Sequence, residues 1–515
     1  MASSINLKNS GGSTLAITHS DSKGGKTIIG TDIVTSVATI NDFPTVGIQD
    51  GDTVIVKDAN RGGTFIYRSA DVATNNGGTI FNGWCRQYEG AVNVKWFGVS
   101  TGSNISTQLQ LILDEHDNVY IPSGVYTVNN TVIVRANTKL FGDAPRANIN
   151  TEGTVFDFQS NSDLVCFMIH DTGAILEDFR VINSNVANQL TSAIETPASG
   201  GANTAFSFSI KNIMVNGYFD KAFNIVYSWH FILEKCRVEG GKHDYGFYIP
   251  NGTSSKIDAC LSYGSKVFGF YLQKLTYCTM NSCGVDGGAG GLHLAGGNRG
   301  LTVNSFGVES TSSGENLLLE GSNNSLTINS PTLSSNSSVD ADIIKINTTG
   351  NSVTTINGLN LPSAYTPNIG FKMLNIIDDG DGVTLITPSM FGTQIGDVDS
   401  CNIIGGNIVN SGSNANGSYL KNYDGTLICH FTSEALSTTS LTQGTLFRST
   451  STLLTFPYAF VGDFPEVSQS PVSNSGAPFA PAAGAITLTT ANLRLLGTTA
   501  TDSGYISYIA IGRWK

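Results

Sequence analysis

The apolar and polar positions of this chain repeat with a fixed period between Trp229 and Ser335. LEKCRVEGG from Leu233, IDACLSYGS from Ile257, MNSCGVDGG from Met280 and VNSFGVEST from Val303 align with one another. Each begins on an aliphatic residue and carries a second apolar residue three positions on: Cys236, Cys260, Cys283 or Phe306. These anchors lie 24, 23 and 23 residues apart, and each repeat then offers a second short strand, YGFYI, FGFYL, GGLHL or ENLLL. A fixed period with two short strands per repeat predicts a solenoid. Strands this short, separated by Gly, Ser, Thr and Asn, predict a right-handed parallel β-helix rather than stacked helices. Phe179, Ile213, Pro331 and Leu359 extend the anchor column, each with an apolar partner three residues before it. Two residues before the anchor stand Asn281, Asn304, Asn329 and Asn357. In stacked coils this predicts an asparagine ladder at a sharp bend, and the bend lets residues three apart both point inward.

Either side of the repeat the pattern changes. Residues 1–40 mix polar and apolar positions without a period and predict a leader segment. Residues 41–95 contain DTVIVKD, GGTFIYRS and GGTIFNGWCRQYEG, strands punctuated by glycine pairs, and predict a small β domain. Residues 96–410 hold the solenoid. It starts with SNISTQLQLILDEHDN, an amphipathic helix with Ser106 as N-cap and Leu109, Ile112 and Leu113 on one face. Such a helix covers the open end of a solenoid, whose first coil otherwise exposes apolar side chains and unpaired strand groups. SGSNANGSY reads as a linker, and residues 411–515, with short strands and Pro-containing turns, predict a β-sandwich.

Composition narrows the function classes. Charged residues make up 13% of the 515 residues and the net charge is -12. An acidic chain without basic runs is a poor partner for nucleic acid, and no apolar run reaches the ~18 residues of a membrane span. Of eight cysteines, Cys236, Cys260 and Cys283 fall in the inward column, where they act as small apolar groups. No CxxC pair suggests a metal site, and no P-loop is present, so neither metal nor cofactor is implied. GVSTG around Ser100 matches the nucleophile-elbow pattern, but without the alternating α/β sheet that an elbow needs. DDGDG from Asp378 starts like a calcium loop and lacks the closing Glu.

The chemistry lies three residues past the anchor, where Asn216, Glu239, Tyr263, Asp286 and Glu309 share one outward column. Adjacent rungs are ~4.8 Å apart, so Asp286 and Glu309 are expected about one rung apart and Glu239 and Asp286 two rungs, at roughly 9.6 Å. Carboxylates ~5 Å apart suit retaining glycoside hydrolysis, and a wider pair suits the inverting reaction. Two like charges so close are expected to raise one pKa, giving an acid beside an ionised partner. A parallel column on the next strand runs Asn224, Tyr248, Tyr271, His293, Leu318. Aromatic groups beside carboxylates are the furniture of a sugar site. His293 is a candidate for assisting proton transfer, and Arg299 for holding an acidic sugar. The competing reading is that these acids solvate the surface and the aromatics only stabilise the coils.

KWFGV, the helix, VYIPSGVYTV and LFGD together resemble the start of the pectate-lyase-like β-helix of bacteriophage tailspikes. GGTFIYRSAD and GTIFNGWCRQYEG resemble the small domain that precedes it in spikes such as those of Acinetobacter phages. NGSYLK, DGTLIC and the closing AIGRWK resemble the terminal β-sandwich of tail fibres and spikes. The resemblance implies a homotrimer attached to a phage tail or baseplate component, located in the virion tail and acting at the bacterial surface. It implies a depolymerase of capsular or O-antigen polysaccharide whose site lies within one chain or between subunits. The carboxylate column favours glycoside hydrolysis. The alternatives are a polysaccharide lyase, which needs a cation beside a uronate, and an adhesin that binds without cleaving.

Overall fold

The computed structural model describes residues 35–145, 152–160, 163–198, 204–335, 341–348, 354–360, 410–422, 425–433, 435–473, 480–501 and 503–515. It also describes the backbone of the strands Ile5–Lys8, Thr14–Ser20, Lys26–Ile28, Leu374–Asp379, Val383–Ile386 and Asn402–Ile404. The chain forms two compact units, Met1–His243 and Asp244–Lys515.

In the first unit, Ile5–Lys8, Thr14–Ser20 and Lys26–Ile28 form an antiparallel sheet, so the segment read as a leader contains strands. A five-stranded sheet follows, built from Thr35–Val37, Thr53–Val56, Gly63–Tyr67, Trp84–Arg86 and Ile80–Phe81 in that spatial order. Val54, Val56, Phe65, Phe81 and Trp84 fill its core. The helix Ser106–Glu115 buries Leu109, Ile112 and Leu113 as its period requires. Its N-cap is Ile105, not Ser106. Ser106 is the first helical residue; Asn104 Oδ1 accepts from its backbone N–H at 3.0 Å, and the Ser106 hydroxyl accepts from the Asn129 N–H at 2.8 Å. Ser100 lies in the turn before this helix, its hydroxyl 3.2 Å from that of Ser103 and not on a strand-to-helix elbow.

Parallel coils make up the rest of this unit. One sheet stacks Val92–Asn93, Asn118–Ile121, Lys139–Gly142, Ile175–Glu177, Ser209–Lys211 and Ile232–Glu234. The facing sheet runs from Gly124–Val128 to Arg237–Glu239, and a short third side pairs Ala205–Phe206 with Ser228–Trp229. Phe156, Phe158, Phe167, Phe179, Phe219 and Phe223 are fully buried in these coils.

The second unit repeats the plan. Lys256–Asp258, Thr279–Asn281, Thr302–Asn304, Leu326–Asn329 and Thr354–Asn357 stack in parallel. Leu261–Gln273 and Gly284–Ala295 form long strands of the second sheet and continue across its corner. On the next coil the same path is broken into Gly307–Thr311 and Leu317–Gly321. Each sharp bend between the two sheets turns on one left-handed residue just before the anchor: Ala259 at φ 51°, Ser282 at 51°, Ser305 at 52° and Ser330 at 50°. The same device precedes Phe179, Ile213 and Cys236, at Asp178, Asn212 and Lys235. One left-handed residue inverts the strand alternation, which is how Ile257 and Cys260, or Met280 and Cys283, are both buried. The predicted ladder is present: Asn304 donates to Asn281 Oδ1 at 2.8 Å, Asn329 to Asn304 at 2.8 Å and Asn357 to Asn329 at 2.7 Å.

After the coils, antiparallel strands enclose a core of Leu427, Cys429, Phe456, Leu493, Leu495, Ile506 and Tyr508. SGSNANGSY is not a linker here: Asn410–Asn414 and Gly417–Lys421 pair as the first hairpin of this sandwich. Part of the DDGDG segment, residues 380–382, lies outside the described residues. Seven cysteines, Cys85, Cys166, Cys236, Cys260, Cys278, Cys283 and Cys429, are buried free thiols. Among the described residues no group of acids, histidines and cysteines is placed to hold a metal ion, and no helix is long and apolar enough to cross a membrane.

Candidate active site

Strand register in the second unit brings Tyr263, Asp286 and Glu309 together. Tyr263 and Asp286 are paired on neighbouring strands, and Asp286 is paired in turn with Glu309. Tyr263 is 45% exposed, Glu309 is exposed and Asp286 is half-buried. The chain leaves Asp286 through Gly287 and Gly288. Gly288 has φ +108°, and a Cβ there would lie 2.6 Å from the Ser265 carbonyl oxygen, so only glycine fits this corner. The tight exit keeps the chain from folding back over the acid.

Charge pairing singles out the same two residues. In the coils from Asp244 to Asn360, Asp244 pairs with Lys266 at 3.5 Å, Asp258 with Lys256 at 3.0 Å and Glu315 with Lys345 at 3.5 Å. Glu320 pairs with His293, and Asp342 is buried and engaged. Among the described residues, Asp286 and Glu309 are the acids of these coils with neither a hydrogen bond nor an ion pair. Two like charges on adjacent rungs without a counter-ion add nothing to stability.

The parallel column is also present, Tyr248 pairing with Tyr271, Tyr271 with His293, and His293 with Leu318. The Tyr248 and Tyr271 rings stack with centroids 4.5 Å apart and 14° between planes, and the His293 ring meets Tyr271 edge-on at 5.0 Å. Tyr271 is therefore flanked from the rung before and the rung after. It offers a ligand its outer edge and hydroxyl, not the free ring face expected of a stacking platform. Tyr263, beside the acids, is the more exposed ring. Tyr245 joins the cluster, 5.2 Å from Tyr248 and 6.0 Å from Tyr271. Burial first, then the Tyr248 and Tyr245 phenols and the Glu320 carboxylate, push the Tyr271 hydroxyl up to about 12, so it stays a donor at neutral pH.

His293 Nε2 lies 3.0 Å from Glu320 Oε2. Burial lowers the histidine below its ordinary range, and the Glu320 and Glu315 carboxylates oppose that shift. Glu320 was not among the residues singled out from the sequence. The signal was there: alternation along Leu317–Gly321 puts Glu320 two residues past Leu318, on the same face and opposite Ala295.

Two other candidates came from the sequence, Arg299 and Glu239. Arg299 bridges Thr276 and Asn324 on the short third side of the coil, a different sheet from His293. Glu239, in the first unit, is not exposed: it is 5% accessible. Its Oε2 lies 3.3 Å from Arg180 Nη1, and its Oε1 lies 2.8 Å from Arg237 Nε at an angle too poor for a hydrogen bond. Burial lowers the Arg180 pKa and Glu239 opposes that shift. Two cations on one enclosed carboxylate make a clasp, and that is why the outward register does not expose it.

No known family profile matches the sequence, and no curated protein matches it. Solved structures do match. The gp42 tailspike of Acinetobacter phage vb_AbaP_AS12 aligns at a TM-score of 0.50 and 12% identity, over 90% of this chain and 93% of that one. The tailspike of Acinetobacter phage vB_ApiP_P1 aligns at 0.41 and 12% identity, over 93% and 99% of the two chains. The gp49 tailspike of Acinetobacter baumannii phage Fri1, a capsular polysaccharide depolymerase, aligns at 0.41 and 10% identity, over 93% and 98%. At 12% identity the likeness to gp42 speaks for architecture alone, and the chain has the β-solenoid fold of that Acinetobacter phage tailspike.

Proposed function

We propose that this chain is a phage tailspike that binds bacterial surface polysaccharide, capsule or O-antigen, and cleaves it by glycoside hydrolysis. The observation that carries the reading is the Asp286–Glu309 pair, two acids on adjacent rungs without a partner in coils where the other described acids are engaged. Carboxylates projecting in parallel from neighbouring rungs stand about 5 Å apart, the separation of a retaining pair. One then protonates the glycosidic oxygen as the bond to the anomeric carbon breaks. The other takes that carbon as a glycosyl ester, which water hydrolyses with the first residue now acting as base. The exposed Tyr263 ring beside them suits stacking on a sugar face. Tyr248 and Tyr271 supply polar groups for its hydroxyls, and Glu239 serves as a structural clasp. The column that carries this pair holds Tyr263 and acids rather than Lys or Arg, which weighs against a lyase, since that reaction needs a cation beside the uronate. Three copies assembled through the terminal sandwich and docked on a phage tail component complete the reading and place the site at the bacterial surface.

The test is a digest of purified capsular polysaccharide from a strain on whose lawn the protein makes haloes. New reducing ends without absorbance from unsaturated sugars, and loss of at least about 100-fold in rate in Asp286→Asn and Glu309→Gln, are expected. Unsaturated products would replace hydrolysis by elimination. Binding without any product would make the protein an adhesin.

A further inference from the structure

The proposed hydrolysis leaves Glu320 without a task. On one face, Tyr245, Tyr248 and Tyr271 present phenol groups, Glu320 a carboxylate with a 41% exposed side chain, and His293 holds that carboxylate from below. Burial raises the Tyr245 and Tyr271 phenols, which keeps them protonated and donating. His293 is packed by the Phe268 and Tyr271 rings at 5.0 Å each, and among the described residues its one close hydrogen-bonding partner is Glu320. Kept uncharged by burial at neutral pH, it donates Nε2–H to Glu320 and leaves the carboxylate its full charge. Among the described residues the other charged groups at the pair are Glu315 and the Lys345 that neutralises it. A row of donors ending in one oriented, unneutralised acceptor matches the hydroxyls of an uncharged sugar. It opposes a sugar that brings its own carboxylate.

We propose that Glu320, oriented by His293, is a specificity-determining residue. It accepts hydrogen bonds from the hydroxyls of an uncharged sugar residue held along the Tyr245–Tyr248–Tyr271 row, and it repels a uronate at that position. This rests on the glycan-cleaving reading above. His293 is a positioning residue that fixes the carboxylate and does not touch the sugar.

Steady-state kinetics on the host polysaccharide test it, alongside the same polymer with its primary alcohols oxidised to carboxylates. Glu320→Ala is expected to raise KM about tenfold on the native polymer with kcat within about twofold, as loss of one charge-assisted contact requires. Glu320→Gln is expected to narrow the preference for native over oxidised polymer at least about threefold. In the wild type KM rises as pH falls through the folded pKa of His293, which burial holds below the ordinary histidine value; in His293→Asn that limb is flattened. Unchanged KM and unchanged discrimination in both Glu320 variants would overturn the inference, while loss of turnover in Asp286→Asn in the same experiment would leave hydrolysis standing. A wild type that neither binds nor cleaves the polymer would remove the glycan reading and this inference with it.

Discussion

Asparagine at the bend of each coil has two jobs that the single residue type meets together. Its amide donates to the rung before and its carbonyl accepts from the rung after, so Asn304 makes one 2.8 Å bond in each direction. Asn304→Ala loses both and leaves an orphan donor and an orphan acceptor on its neighbours, at a cost of about 1–3 kcal/mol. Among the described residues Asn281 and Asn357 each make one ladder bond, and the alanine variant at Asn281 is expected to cost about half as much. Unfolding midpoints of the two variants, measured side by side, check the ranking; equal losses would mean that the ladder is incidental. The ladder was legible from the sequence because its spacing follows the apolar anchors. The left-handed residue between asparagine and anchor was not. Asp178, Asn212, Lys235 and Ala259 take this position as well as Ser282, Ser305 and Ser330, so no one residue type marks it, and the backbone angle is imposed by the packing on either side.

Strands supply the contrast between acids that hold the fold and acids free to act. Glu239 closes the strand Arg237–Glu239 against Arg180 on Arg180–Asn183, with the Arg180 side chain fully enclosed. Removing the carboxylate in Glu239→Ala takes an ion-pair partner from a buried guanidinium, an expected loss of about 3–5 kcal/mol. Asp286→Asn and Glu309→Gln instead relieve an unpaired like-charge contact, so stability is expected to change by less than about 0.5 kcal/mol or to rise. Thermal unfolding of the three variants separates the two classes. A large loss in Asp286→Asn would identify that residue as structural. The alternation rule placed all three acids on one column and could not see that a neighbouring arginine covers one of them. The same limit explains the tyrosines: their register was readable, but the His293 ring beside Tyr271 had to be seen before the loss of its free face was evident. In SGSNANGSY, by contrast, the information was available. Asn416–Gly417 is a hairpin signal, outweighed in the reading by the small polar residues around it.

For the whole molecule, acid is the relevant stress. Burial depresses both His116 and His293, against carboxylates that act the other way. In the unfolded chain both titrate near 6.5. Between that value and their lower folded values the unfolded chain binds more protons, so stability is present in full above pH ~6.5 and drains away as pH falls through the folded pKa. A melting temperature that drops between pH 7 and pH 5, with a smaller drop in His293→Asn, is the expected outcome. A flat profile would show that neither histidine is held neutral. Architecture was the most legible level of all, since a period of 23 or 24 residues admits few folds. The site was legible as a column of residue types, and its partners were not, because contacts between rungs depend on side-chain direction.

The buried thiols have a use that concerns time. They are spread along the chain: Cys85 in the small β domain, Cys166 and Cys236 in the first set of coils, Cys260, Cys278 and Cys283 in the second, and Cys429 in the sandwich. Burial raises the Cys166 and Cys278 thiols and, with a hydrogen bond as the larger cause, the Cys283 thiol, so an alkylating reagent finds little thiolate there while the coils stay closed. Each cysteine thus acts as a clock for its own stretch of chain. The order in which the seven become labelled in mild denaturant records which part opens first and how long the others outlast it.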